Sequence, residues 1–145
     1  MPFSIVDHTA DLGIEAEGAS AEEVLQAAAL GLTSVLSGRP DPHTLGRPDR
    51  ELSFTIEAPD RIALLVAFLS ELVWRHESED LVWLGGGVTL GTGRDGIARL
   101  TAKGNGLRHD PATHGRGVEV KAVTYHDARF ENVAGTWHLR VLLDI

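Results

Sequence analysis

The sequence lacks the residues and segments on which several classes of protein depend. There is no cysteine among the 145 residues, which excludes disulfides, thiolate metal sites and a cysteine nucleophile. No apolar run approaches the ~20 residues that a membrane helix needs. The chain also has no basic segment followed by a long apolar stretch at its start, so we expect neither a signal peptide nor a membrane partner. These absences together predict a cytoplasmic protein.

Basic residues are scarce as well. The chain has 13 Lys and Arg against 21 Asp and Glu, for a net charge of −8. Proteins that bind nucleic acid at cellular salt rely on Lys and Arg to neutralise phosphates, and neither a basic run nor an RNA-recognition aromatic motif is present. We therefore expect no direct, high-affinity binding of nucleic acid. A cation or a basic protein is the favoured partner.

The overall composition is that of a folded domain. An apolar fraction of 43% and a charged fraction of 23% are ordinary for a globular protein and disfavour disorder. At 145 residues the chain can bury a core of its own. The sequence predicts a single domain over residues 1–145.

Two helices are indicated by capping residues and apolar spacing. Ser20 and Glu23 have the spacing of a capping box, which predicts a helix that runs to about Leu36 with one apolar face. Asp60 is the expected N-cap of a second helix, which runs to about His76. This second helix is apolar nearly all round, so we expect it to be central and covered on more than one side.

Alternating apolar and polar residues predict strands in the rest of the chain. Glycines at 85–87 should divide one strand into two short pieces, and residues 103–117 are too irregular for an element. Two helices and about seven strands, mostly joined by hairpin-length links, predict an α+β fold with a mainly antiparallel β-sheet core. The expected strands lie near residues 12–17, 52–57, 81–84, 88–90, 97–102, 118–125, 130–133 and 138–143.

The most informative polar segment is residues 7–13, which holds two carboxylates and an imidazole just before a predicted strand. Asp144 follows the apolar run at 141–143, and Ile145 then ends the sequence with a further carboxylate. We expect Asp11 and Asp144 to meet in space and hold a hard divalent metal ion, with Ile145 as an additional oxygen donor. The alternative is that Asp11 caps a strand start while the C-terminal residues are a solvated tail.

Four histidines lie in segments that contain aspartate: His8, His109, His114 and His126. Histidine together with Asp can serve acid–base chemistry or bind a transition metal, but no two histidines have the i, i+4 helical spacing of a zinc protease. A structural or partner-contacting role is the favoured interpretation. Asp110 and His114 are expected to line the same surface as His126.

The glycine-rich stretches at 85–87 and 91–93 do not indicate a nucleotide site. They lack the Lys and Ser/Thr of a P-loop and open no helix. No serine lies in a nucleophile elbow either, because the stretch at 31–34 falls inside the first predicted helix. The sequence therefore offers no catalytic nucleophile.

Four segments spread along the whole chain are informative in combination: Asp7-His8-Thr9-Ala10-Asp11-Leu12-Gly13, Gly18 with the Ser20-Ala21-Glu22-Glu23 helix start, Val120-Lys121-Ala122-Val123-Thr124-Tyr125-His126 and Leu143-Asp144-Ile145. Taken together, these segments resemble the archease family.

The resemblance implies a function that the residues alone do not. Archeases are small accessory proteins of the RtcB-type tRNA-splicing RNA ligase: they promote guanylylation of the ligase and allow multiple turnover. They bind a divalent metal through the Asp of the His-Thr-Ala-Asp motif and an Asp near the C-terminus, which match Asp11 and Asp144, with Ile145 completing the set. Ca²⁺ is the first expectation, with Mg²⁺ or Mn²⁺ as alternatives. His8, Asp110, His114 and His126 are candidates for supporting roles or partner contacts.

The sequence departs from the family at residues 104–106. A glycine followed by Glu usually precedes the Asp–His loop, whereas Gly104-Asn105-Gly106 has no acid. The resemblance also implies an inserted strand–helix module, expected roughly at residues 51–83.

Two other functions stay open at this level. A stand-alone metal-dependent phosphoester hydrolase would use Asp11, Asp144 and a base such as His126. A chaperone-like binding protein would use the apolar second helix. Ligase activation without catalysis by the chain itself is the leading hypothesis.

Overall fold

The computed structural model describes residues 2–8 and 11–145, with only the backbone of residues 7 and 8. This part of the chain contains seven strands, three helices and a 3-10 turn at Pro42–Leu45. The strands are β1 (Phe3–His8), β2 (Asp11–Gly18), β3 (Arg50–Ala58), β4 (Leu81–Thr92), β5 (Ala98–Arg108), β6 (Ala122–Val133) and β7 (Thr136–Asp144). The helices are α1 (Ala21–Ser37), α2 (Arg61–Glu79) and the short α3 (Pro111–His114).

The strands form two antiparallel sheets with helices between them. One sheet has the order β1-β2-β7-β6, and the other has the order β3-β5-β4. Helix α1 contacts β1, β2 and β7 of the first sheet and β4 of the second, while α2 contacts β6 and all three strands of the second. The predicted α+β fold with an antiparallel core is confirmed. None of the described helices is both long and apolar enough to cross a membrane.

Helix α1 begins and ends where the sequence predicts, but it is buried on more sides than the one apolar face that the sequence predicts. The Ser20 hydroxyl accepts the Glu23 amide at 3.1 Å, whereas the Glu23 carboxylate accepts the amide of Ala19 at 2.8 Å rather than that of Ser20. Gly38 ends the helix in the left-handed region at φ 75°. The helix is buried on nearly every side, including Thr33, because it lies between the two sheets.

Helix α2 is less enclosed than its composition predicts. The Asp60 side chain caps it by accepting the Ala63 amide at 2.8 Å. The helix contacts β6 of the first sheet and all three strands of the second, which agrees with the expectation of cover on more than one side. Trp74, however, is 55% exposed. The buried residues of α2 are Leu64, Leu65, Val66, Phe68, Leu69, Leu72 and Val73.

Two segments that looked irregular are regular strand. β4 continues through the three glycines, with a register shift between Trp83 and Gly85, and β5 runs to Arg108. Glycine is required there by close packing: a Cβ on Gly104 would lie 2.1 Å from the ring of Trp83, and one on Gly106 would lie 2.1 Å from the Val82 carbonyl oxygen. Because these glycines have no side chain, the Trp83 ring and the Val82 carbonyl can pack closely against β5. The glycines therefore belong to the strand and do not mark a loop.

The boundaries of two further elements also need correction. The second sheet, with α2, extends to Arg108, so the inserted module is longer than the expected residues 51–83. Residues 118–121 do not belong to a strand. The amides of Gly117 and Val118 instead donate to the carbonyls of Leu36 (3.2 Å) and Val35 (2.9 Å), which satisfies carbonyl groups left free at the end of α1.

Candidate functional site

Asp11 and Asp144 lie directly opposite each other across two neighbouring strands. Asp11 is the first residue of β2, Asp144 is the last residue of β7, and the antiparallel register pairs them. Directly opposed residues send their side chains to the same face of a sheet, with Cβ atoms about 4.5–5.5 Å apart. Both residues are half-buried. The structure thus brings the two predicted metal ligands side by side.

The alternation of the two strands explains why both carboxylates face away from the core. The neighbouring pair, Leu12 with Leu143, faces the other side of the sheet, and Leu143 is fully buried. The backbone of Asp144 is also held from the β6 side, because its carbonyl accepts the Lys121 amide at 2.8 Å. The two carboxylates therefore extend from a well-packed part of the sheet.

The donor set of this pair fits a hard divalent cation. Like charges directly opposite each other destabilise a sheet, and a cation between them would offset that repulsion. Among the described residues no group of three or more His, Cys, Asp or Glu is arranged to hold a metal. Further donors would thus be a main-chain oxygen of Ile145, which packs partly buried against the core, water, or an anionic group of a partner. Ca²⁺ and Mg²⁺ accept such mixed oxygen shells.

His8 is the third polar residue in this row of the sheet. Its backbone pairs with Asp11 across β1 and β2. Its side chain, like residues Thr9 and Ala10 of the sequence motif, lies outside the described part of the chain.

Asp110 and His114 are brought together by the short helix α3. The Asp110 carboxylate accepts the Ala112 amide at 3.0 Å, and the Asp110 amide donates to His114 Nδ1 at 2.9 Å. The two side chains therefore cap and close a single turn. The expected surface shared with His126 stays a prediction.

His126 lies in a bulge that the sequence did not predict as such. Residues 125–128 of β6 face only Val141, because the register shifts between Thr124 and Arg129. His126 Nε2 lies 3.5 Å from a carboxylate oxygen of Asp127, and Tyr125 is 63% exposed. The bulge thus presents an aromatic side chain and an imidazole from the strand that flanks Asp144.

A second polar region was missed by sequence reasoning. His76, at the end of α2, lies 3.3 Å from the ring of His109, which follows β5. Burial, and then the adjacent His109, lower the pKa of His76 below its ordinary value, against the opposing effect of Asp80 and Glu77. His76 and His109 are 33 positions apart in the chain, and no sequence motif has such a spacing. The pair is therefore evident only from the fold.

Comparison with known proteins identifies the family. The model of the archease protein family (MTH1598/TM1083) matches residues 3–145. The chain belongs to the archease family. Protein archease of Methanosarcina mazei is 33% identical over 143 residues, which cover 99% of this chain and 95% of that relative.

Solved structures of archease-like proteins share the fold. The solution structure of Methanobacterium thermoautotrophicum protein 1598 has a TM-score of 0.74 at 32% identity and covers 99% of both chains. The crystal structure of a Thermotoga maritima protein, described as an archease and possible chaperone, has a TM-score of 0.59 at 18% identity. That alignment covers 97% of this archease and 94% of the Thermotoga chain, and it supports the fold alone.

Proposed function

We propose that this archease is a metal-binding accessory protein that activates an RtcB-type tRNA-splicing RNA ligase. It acts by promoting guanylylation of the ligase and thereby multiple turnover. The observation that carries the proposal is the opposed pair of Asp11 and Asp144, at motif positions that the family resemblance assigns to metal. Family membership over residues 3–145 supports the same function.

The chemistry of the pair suits guanylyl transfer. A divalent cation, when bound, neutralises the charge of a nucleoside triphosphate and orients in-line attack. In this account Asp11 and Asp144 hold the cation at the edge of the first sheet, and Ile145 contributes a further oxygen. The net charge of −8 opposes direct binding of RNA, so the ligase itself is the expected partner.

The proposal is tested by a guanylylation assay with the ligase, GTP and wild-type or variant archease. Asp11→Ala should abolish the stimulation of ligase guanylylation, because it removes one of the two carboxylates. Asp144→Asn should weaken metal binding measured by calorimetry, because it removes the negative charge but keeps the shape. Circular dichroism of both variants should match that of the wild type.

A matched control is available on the second sheet. Glu51 is an exposed carboxylate on β3, and Glu51→Gln should leave both stimulation and metal affinity unchanged. Full stimulation by the Asp11→Ala protein would contradict the proposal.

A chaperone-like function is a second candidate, favoured by the exposed aromatic side chains of Trp74 and Tyr125, which are 55% and 63% exposed. Exposed aromatic groups bind apolar surface of other proteins. Suppression of aggregation of an unrelated unfolded protein, lost in Trp74→Ser but retained with chelator, would favour this function. If the protein does not suppress aggregation, the chaperone-like function is excluded.

A further inference from the structure

A groove runs along the open side of α2, between that helix and the segment that leads into β6. One end of the groove is a cavity of about 280 Å³ between Trp74 and residues 121–123. The other end is a cavity of about 340 Å³ between the end of α2 and residues 116–120. Val73 and Glu77 line both cavities, so the two form one continuous depression.

The register of the first sheet places this groove next to the carboxylate pair. Ala122, which lines the groove, lies directly opposite Asp144 across β6 and β7. The amide of the preceding residue, Lys121, donates to the Asp144 carbonyl at 2.8 Å. Because a standard protein interface covers about 800 Å² on each partner, a protein that docks on Asp11 and Asp144 reaches the groove as well.

Trp74 and Glu77 present complementary chemistry on the open side of α2. They are three residues apart, so their side chains are neighbours on one face of the helix. Trp74 is 55% exposed, and Glu77 is exposed too. An aromatic ring beside a carboxylate suits an arginine guanidinium, which stacks on the ring and pairs with the acid.

The same helix already contains this three-part arrangement once. The guanidinium carbon of Arg75 lies 4.9 Å from the centre of the Phe54 ring, and Arg75 Nε lies 2.9 Å from a carboxylate oxygen of Glu71. Within the described residues, guanidinium groups stack on Phe54 and Trp137 but not on Trp74. Trp74 thus offers the ring of such an arrangement to an arginine from outside the chain.

The charges around the groove are mixed but favour a cation. Asp80 and Glu119 join Glu77 as acids, whereas Arg116 and Lys121 are bases. Three acids against two bases leave one net negative charge, and Glu77 lies where the two cavities meet. Over a longer range, the net charge of −8 attracts a basic surface.

We propose that this groove binds an arginine-bearing segment of the RNA ligase, with Trp74 as the central anchor and Glu77 as the acid that fixes the guanidinium. This inference rests on the proposed function, because it takes the ligase to be the protein that docks on Asp11 and Asp144. An enzyme that binds RNA needs Lys and Arg near its active site to neutralise phosphates, so the ligase carries such side chains there. Trp and Arg are also the residues enriched among those that dominate binding energy at interfaces.

The test is the affinity of the ligase for wild-type and variant archease, measured by calorimetry in Ca²⁺ without GTP or RNA. Trp74→Ala should raise the dissociation constant by about tenfold or more, which is the effect of truncating an anchor residue. Trp74→Phe keeps an aromatic face and should restore most of the affinity. Glu77→Gln should raise the dissociation constant by a smaller factor and make it less sensitive to salt, because one charge pair is lost.

Val133→Ala is the matched control for the loss of exposed apolar surface. Val133 is 47% exposed but lies at the other end of β6, opposite Thr136. Its ligase affinity should equal that of the wild type. The Trp74→Ala protein should keep the circular dichroism spectrum and the Ca²⁺ affinity of the wild type, because the changed side chain is exposed and both carboxylates remain.

Guanylylation over a range of archease concentrations separates this inference from the proposed function. The Trp74→Ala protein should reach the wild-type maximum at higher concentration, whereas Asp11→Ala should give no stimulation at any concentration. If the wild type stimulates the ligase and Trp74→Ala binds it equally well, the groove is not the docking surface, while the proposed function stands. If the wild type neither binds nor stimulates the ligase, both are wrong.

Discussion

At the scale of single residues, the opposed carboxylates of Asp11 and Asp144 are costly to the fold unless something compensates them. Like charges directly across a strand pair destabilise a sheet, yet the antiparallel register of β2 and β7 places these two on one face. Both strands are held by a fully buried apolar pair, Ile14 and Val141. The backbone therefore has little freedom to separate the charges, and a bound cation is the simplest compensation.

The first prediction follows from that repulsion. In metal-free protein, Asp144→Asn should raise the free energy of unfolding by roughly 0.2–1 kcal/mol, because it removes one of two like charges. Adding Ca²⁺ should stabilise the wild type more than the variant, because a ligand that binds only the folded state stabilises it. Urea unfolding in chelator and in Ca²⁺ measures both effects.

The control for this prediction is Glu51→Gln, which removes an exposed charge from the second sheet. Its stabilisation by Ca²⁺ should equal that of the wild type. An equal gain in the Asp144→Asn protein would show that Ca²⁺ does not bind at the pair.

The second prediction concerns a glycine whose role is steric. Gly104→Ala would place a Cβ 2.1 Å from the ring of Trp83 and 2.7 Å from the Gly85 carbonyl oxygen. Trp83 is 1% exposed and has no room to move, so the free energy of unfolding should fall by ~1–3 kcal/mol.

Gly91→Ala is the matched control within the same sheet. A Cβ there meets no atom within 4 Å, and its unfolding free energy should stay within about 0.5 kcal/mol of the wild type. Equal unfolding midpoints in urea for the two alanine variants would contradict the steric argument.

At the scale of elements, helix α1 is more enclosed than its sequence predicts. Helix α2 contacts both sheets, but its exposed Trp74 shows that one side is open. Helix α1 carries polar residues on buried positions, where their hydrogen bonds are satisfied: Thr33 donates to the Trp83 carbonyl at 2.6 Å, and Ser37 donates to the Thr33 carbonyl at 2.7 Å. Apolar spacing along one helix cannot reveal that a second sheet will cover its polar side.

The third prediction concerns pH and the contact between α2 and the segment after β5. The pKa of His76 is lowered in the folded state, first by burial and then by His109. Between that lowered pKa and the ordinary value of 6.5, the unfolded chain binds more protons than the folded one, so stability falls as pH falls through this window. Asp80 and Glu77 reduce the effect because they favour the charged ring.

The measurement is urea unfolding of metal-free protein across this pH window. His76→Gln should have a shallower decline in unfolding free energy at acid pH than the wild type. His126→Gln, at an exposed histidine, should decline as the wild type does. Parallel curves for the wild type and the His76→Gln protein would contradict the assignment.

At the scale of the whole molecule, the sequence predicts the elements better than their arrangement. Alternation and capping residues are local, so both long helices and the class of fold were predictable from them. The strand order β1-β2-β7-β6 joins the two ends of the chain, and no local pattern contains that information. The pairing of Asp11 with Asp144 is predictable only from the chemistry of their side chains and from the family resemblance.

Other parts of the site depend on register or on distant contacts. The bulge at residues 125–128 arises from a shift relative to β7, whereas the sequence predicts two separate strands, at 118–125 and 130–133. The approach of His109 to His76 requires β5 to continue through glycines that resemble a loop. In both cases the deciding contact is with another element, so it could not be inferred from the segment alone.

The fourth prediction is the central one, because it tests whether the protein allows the ligase to turn over repeatedly. The measurement is RNA ligation by an RtcB-type ligase, with excess RNA and GTP and with archease well below the ligase concentration. We expect many ligation events per ligase with wild-type or Glu51→Gln archease, and about one per ligase without archease or with Asp11→Ala. Equal turnover with and without the protein would contradict the proposed function.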